Sequence, residues 1–107
     1  MQDHSLGAYF CNLDTLTAAQ RAQHHMLASQ LRPLVREFVE IPEGYVVHFQ
    51  AGKNIGDDIE SFLALERLCC PFMQLVLQGE VNNGLEVLLT GPPDAKPFMR
   101  TEFEIPE

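Results

Sequence analysis

Leu75-Val76-Leu77-Gln78-Gly79-Glu80-Val81 and Leu85-Glu86-Val87-Leu88-Leu89-Thr90 flank Asn82-Asn83-Gly84, and the reading of this stretch decides the fold. An Asn-Gly pair between two apolar runs is a strong short-range hairpin signal, because both residues tolerate the positive φ of a tight hairpin turn. An antiparallel sheet follows from it. Gly91-Pro92 closes the second strand, and Pro93 or Asp94 starts a short helix through Met99, since proline is tolerated in a first helical turn.

Upstream of the hairpin, Ile59, Phe62, Leu63, Glu66, Cys69 and Cys70 recur at helical spacing, with Asp57 or Asp58 as the cap. Pro71 interrupts that helix. Before a loop over 51–56, Tyr45-Val46-Val47-His48-Phe49-Gln50 reads as a strand with Tyr45, Val47 and Phe49 on one face. Pro42-Glu43-Gly44 is a turn, preceded by an irregular or briefly helical stretch up to Ile41. Thr17-Ala18-Ala19-Gln20 has the capping-box pattern. The helix it opens runs to about Leu31, because Pro33 disfavours helical geometry at Arg32. Residues Gly7 to Leu13 read as a short strand turning at Asp14-Thr15. The expected order is β-α-β-α-β-β with a closing α: an α+β domain with a mostly antiparallel sheet and helices on one face.

A chain of 107 residues forms about one domain, spanning 1–107, with enough apolar content (46%) to bury a core without staples. Its 7 Lys and Arg against 15 Asp and Glu give a net charge of −8, and the basic residues form no cluster. Nucleic acid and membrane surfaces are anionic and call for such clusters, so neither is an expected partner. No apolar run reaches the ~20 residues of a membrane span, and Met1-Gln2-Asp3-His4-Ser5 does not look like a signal peptide. Three cysteines cannot form a closed disulfide framework. Adjacent Cys69 and Cys70, with Cα atoms ~3.8 Å apart across a trans peptide, lie below the usual range for a bridge. A reducing cytoplasm is the expected compartment.

Chemistry concentrates at Cys69-Cys70-Pro71-Phe72. If the chain passes straight from the helix into a strand, the thiols sit at the negative end of the helix dipole. If Pro71 begins a new turn of helix, Cys70 becomes an N-cap and its thiolate is favoured. The sequence allows both. Buried cysteine also packs as a small apolar group, and Phe62, Leu65, Leu68 and Phe72 are near in sequence. Two residues weigh against packing alone. Cys11 ends an apolar segment and would complete a set of three soft ligands with Cys69 and Cys70, suited to Cu(I), Zn(II) or a similar thiophilic ion. Glu66 lies one turn before the pair, flanked on the helix by Leu63 and Leu65, and a carboxylate on such an apolar face needs a partner: a metal, a thiol proton, Arg67 or a turn amide. His24-His25 is adjacent rather than spaced i, i+4 and reads as a solvated face. His48 reads as a satisfied structural histidine, His4 as part of a loose terminus, and Asp14 as a turn residue.

Cys11-Asn12-Leu13, then Leu65-Glu66-Arg67-Leu68-Cys69-Cys70-Pro71-Phe72, then Leu89-Thr90-Gly91-Pro92 resembles small bacterial proteins of unassigned function with an E-x-x-C-C-P-F signature. The resemblance covers nearly the whole chain and implies company with metal-resistance and metal-responsive systems. A second, fragmentary resemblance is to organomercurial lyase, on Cys11-Asn12-Leu13-Asp14-Thr15-Leu16 and the Cys69-Cys70 pair. It implies that Cys11 and Cys69 bind an organomercurial and that Asp14 relays the proton, although the lyase's N-terminal region has no counterpart here.

Three functions are therefore expected in turn. The first is binding of a soft ion such as Hg(II) or Cu(I) by Cys11, Cys69 and Cys70, with Glu66 behind them. The second is an enzyme of the carbon–mercury lyase kind using Cys11, Asp14 and Cys69. The third is an interaction module, a homodimer or the partner of a regulatory protein, in which the cysteines only pack. No other cofactor is implied.

Overall fold

A computed structural model describes residues 12–50, 55–80 and 84–106. Helix α1 (Ala18–Leu31) is followed by strands β1 (Val35–Ile41) and β2 (Gly44–Phe49), helix α2 (Ile55–Cys69), strands β3 (Gln74–Glu80) and β4 (Gly84–Thr90), and helix α3 (Lys96–Glu102). Short 3-10 turns cover Leu13–Thr15, Arg32–Leu34 and Pro93–Ala95. The protein is α+β, with helices packed against a four-stranded antiparallel sheet of order β1-β2-β4-β3.

Local chemistry explains most of these elements. Thr17 accepts from the Gln20 amide while the Gln20 side chain accepts from the Thr17 amide, so α1 starts with the expected capping box. Helix α2 begins at Ile55, which places Asp57 and Asp58 in its first turn, where acidic side chains complement the helix dipole. Strands β3 and β4 pair from Gln74 opposite Thr90 to Glu80 opposite Gly84, as the hairpin signal requires. The turn residues 81–83 lie outside the described ones, as does most of the strand expected over 7–13, whose last residue, Leu13, is in a 3-10 turn.

The stretch before Ile41 differs from the expectation. After the 3-10 turn it is strand β1, at the sheet edge, joined to β2 through Pro42-Glu43. Its register shifts between Val35 and Glu37, leaving Arg36 as the extra residue of a bulge. Burial falls on every third residue rather than every second, so β1 shows no alternating pattern to read.

One face of the sheet carries the core. Tyr45, Val47 and Phe49 of β2, Leu85, Val87 and Leu89 of β4, and Leu75 of β3 are buried against Leu27 and Leu31 of α1, Ile59 and Leu63 of α2, and Phe98 and Met99 of α3. On the other face, His48 Nδ1 lies 3.2 Å from a Glu86 carboxylate oxygen directly across the strand pair. Lys96 anchors α3 to the first hairpin through the Glu40 carboxylate (2.6 Å) and the Ile41 carbonyl (2.8 Å). No helix among the described residues is long and apolar enough to cross a membrane.

The closest backbone approach is at Gly44, where a Cβ would lie 1.9 Å from the Leu89 carbonyl oxygen. The obstacle is main chain in the neighbouring central strand, so no side-chain rotation relieves it. Gly44→Ala is expected to lower unfolding free energy by about 2–3 kcal/mol, read from urea denaturation by circular dichroism. Gly56→Ala, which meets only the flexible end of Leu85, is expected to cost less.

Candidate functional site

The last turn of α2 sets the site. The Cys70 amide donates to the Glu66 carbonyl at 2.7 Å, and the Met73 amide donates to the Cys70 carbonyl at 3.2 Å. The second bond closes a four-residue turn with Pro71 in second position, where its fixed φ is favoured. The chain thus passes through one turn into β3, and the cysteines sit at the C-terminal, negative end of α2. Cys70 is not a helix N-cap. Outgoing carbonyls of α2 find donors in the segment before α1: the Asn12 amide bonds the Cys69 carbonyl (3.0 Å) and the Thr15 hydroxyl bonds that of Leu68 (3.1 Å).

Glu66, Cys69 and Cys70 are fully buried, each at 0% exposure. Their spacing puts them on one side of the last helical turn, with the sulfurs 3.9 Å apart and each close to a different oxygen of Glu66. Cys69 Sγ lies 3.9 Å from Oε1, and Cys70 Sγ lies 3.6 Å from Oε2. Oε1 also meets Nε2 of His24 in a short hydrogen bond. His24 comes from α1, one stripe with Leu27 and Leu31, and its ring stacks on Phe62 at 5.0 Å between centroids. The expectation that both histidines are solvated is therefore corrected. His25 is exposed, but His24 turns inward to the carboxylate.

A third helix contributes Glu102, at the end of α3, whose carboxylate lies beside that of Glu66. Potential ligand atoms of His24, Glu66 and Cys69 lie within 4.8 Å of one another, as do those of Glu66, Cys70 and Glu102. Glu66 belongs to both groups. Neither His24 nor Glu102 was expected from the sequence. The i, i+3, i+7 stripe of His24, Leu27 and Leu31 was a readable sign of the first; Glu102 carries no local sign at all.

Electrostatics follow from burial. Loss of water pushes the Glu102 carboxyl up to about 8, with the neighbouring Glu66 adding to the effect. Burial likewise raises Glu66, partly offset by the His24 hydrogen bond. The same hydrogen bond raises His24 above its ordinary value, against desolvation. All three groups thus hold their protons more tightly than they would in water. Two carboxyls, an imidazole and two thiols thus converge at the end of α2, with Glu66, Cys69 and Cys70 fully buried.

Beside the cluster is an open apolar cleft of about 870 Å³ between α1, α2, α3 and the sheet, walled by Leu31, Phe49, Phe62 and Phe98. His24 and Glu102 face it, whereas Glu66, Cys69 and Cys70 do not.

The other expected site residues are placed as follows. Cys11 lies outside the described residues; its chain neighbour is the Asn12 that bonds the Cys69 carbonyl. Asp14 is exposed in a 3-10 turn, and among the described residues its side chain makes no hydrogen bond or ion pair with Cys69 or Cys70.

The three raised groups give a pH dependence of one sign. A group that binds its proton more tightly when folded contributes stability that is complete below its unfolded value and is lost as pH rises through its folded value. Stability is therefore expected to fall between about pH 5 and pH 9, and Glu102→Gln should flatten the upper part of that slope. Urea midpoints at one-unit pH intervals measure both. Comparison with known protein families, with characterised proteins and with solved structures gives no match, so the cluster's own geometry has to carry its interpretation.

Proposed function

We propose that this chain binds a soft metal ion, Hg(II) or Cu(I), through cysteine thiolates, in metal resistance or sensing in a bacterial cytoplasm. Cys69 and Cys70 are the ligands in this reading, with Cys11 as the third and Glu66 behind them. The supporting observation is the convergence of the two sulfurs at 3.9 Å on the fully buried Glu66. With metal–sulfur bonds of ~2.3 Å, that separation spans one ion at an S–metal–S angle of roughly 115°. It is far beyond the ~2.05 Å of a disulfide bond.

Packing alone accounts for the burial of two cysteines, but not for what surrounds them. Burying carboxyls and an imidazole costs stability that apolar residues of equal volume would not. Such dry clusters of perturbed ionisable groups concentrate at functional sites. Glu66 and His24 also give the thiol protons a destination when a metal displaces them, since a bound thiol is deprotonated outright.

Titration of the reduced protein with Hg(II), Cu(I) and Zn(II), followed by thiolate-to-metal absorption and by Tm, tests this. Tight one-to-one binding of Hg(II) or Cu(I) is expected, with stabilisation approaching ~4 kcal/mol at a thousandfold excess over Kd. Cys69→Ser/Cys70→Ser should abolish it, and Cys11→Ser should weaken it. Binding unchanged in the double variant would overturn the proposal and favour an interaction module with packed cysteines.

One observation favours a second reading, thiol-dependent protonolysis of a carbon–metal bond. A carboxyl that keeps its proton at neutral pH, Glu102, is linked through Glu66 to both sulfurs. The proton donor in this reading is the Glu66–Glu102 pair rather than the exposed Asp14. Release of the hydrocarbon from a simple organomercurial by reduced protein, lost in Glu66→Gln and kept in Asp14→Asn, is the expected outcome; no release in the wild type rejects it.

A further inference from the structure

Cys69, Cys70 and Glu66 have no exposure to solvent, so any ligand of the sulfurs has to pass something that moves. His24 and Glu102 line the apolar cleft and also pack against the buried cluster: ligand atoms of His24, Glu66 and Cys69 lie within 4.8 Å of one another, as do those of Glu66, Cys70 and Glu102. These two side chains thus stand between the cleft and the sulfurs.

His24 is the part of that wall able to swing. Its side chain keeps 14% exposure, and among the described residues it is held by the hydrogen bond to Glu66 and the stack on Phe62. Rotation about its side-chain bonds leaves α1 intact. Glu66 is fixed within the core, so its movement would disturb the packing of α2.

The lining of the cleft also selects what travels through it. The buried part of the lining, Leu31, Phe49, Leu63 and Phe98, offers no side-chain hydrogen bonds to replace a hydration shell, while the charged Arg32, Arg36, Glu37 and Glu104 stand where the cleft is exposed. A strongly hydrated ion entering such a passage loses solvation without compensation, whereas a neutral, weakly hydrated species loses little.

We propose that the apolar cleft is the entry path to the buried sulfurs, that the His24 side chain is its gate, and that the path admits neutral, weakly hydrated ligands in preference to hydrated ions. Resting on the soft-metal reading, this makes the cargo a neutral complex of the metal, such as the dichloride of Hg(II), rather than the hydrated cation. Soft thiophilic ions form such complexes, and hard ions remain hydrated, so the passage adds a selectivity of its own to that of the thiolates.

Alkylation tests the path without any metal, so failure of metal binding and failure of this inference are separately visible. Native protein is treated with neutral iodoacetamide or anionic iodoacetate, and modification of Cys69 and Cys70 is followed by peptide mass spectrometry, with the urea-unfolded protein as reference. The iodoacetamide-to-iodoacetate rate ratio is expected to be at least about tenfold larger in the native protein than in the unfolded one. His24→Ala should speed native labelling by both reagents by about tenfold or more, as expected for losing a hydrogen bond to a charged group. Ala28→Leu, which narrows the cleft one helical turn from His24, should slow it. Labelling that tracks global unfolding free energy across these variants, or a rate ratio equal in native and unfolded protein, overturns the proposal. Loading wild-type protein with Hg(II) at rising chloride concentration then addresses the cargo. Faster loading as the neutral dichloride forms is expected, and loading that slows or stays constant overturns that part.

Discussion

A carboxylate removed from water has to be held by its neighbours, and Glu66 is held from three helices. Its own helix α2 supplies the two thiols, α1 supplies His24, and α3 supplies Glu102. Each of these partners satisfies a lone pair that would otherwise be stranded in a low-dielectric interior. The arrangement of the helical layer is therefore tied to one side chain. A shift of α1 or α3 would leave a buried acid without its partner, and the cost of such a vacancy exceeds the net gain from making the bond.

The sheet gives this layer its support. Central strands β2 and β4 present alternate large apolar residues to the helices, and Ile59 and Leu63 of α2 are buried within the same core. From there the helix end is fixed by the turn at Pro71 on one side and by Asn12 and Thr15 on the other. Those contacts are mainly backbone hydrogen bonds, insensitive to what the thiols do. The end of α2 is thus held by contacts separate from those of the polar cluster, which keeps the cysteine backbone in place while the cluster's protonation sets how firmly the three helices are joined.

How much of this was legible depended on whether the signal was local. The capping box at Thr17, the apolar runs around Asn82-Asn83-Gly84 and the stop at Pro71 are contained in a few consecutive residues, and the structure has a helix start, a paired hairpin and a helix end there. Strand β1 was not legible, because an edge strand with a bulge is only partly buried and its apolar positions lose the period of two. At the site, Glu66 and the cysteine pair stood out as a polar group and two sulfurs on an apolar helix face. His24 was obscured by the adjacent His25, which invites both to be read as one solvated pair although neighbouring helical positions face ~100° apart. Glu102 was beyond any local reading, since only the docking of α3 brings it to Glu66.

The sheet order has a consequence for how the site comes into being. Both outer pairings, β1 with β2 and β3 with β4, join strands adjacent in sequence, while the central pairing of β2 with β4 spans α2. Hairpins close in microseconds, whereas contacts of long sequence separation bear the larger loop-closure entropy and form later. Two preformed hairpins would then meet late, with α2 as the connection drawn between them. Until that meeting the acid and its sulfurs remain in water on an unsupported helix, so a nascent chain would present open thiols to whatever ions or oxidants surround it, and the finished protein would withdraw them.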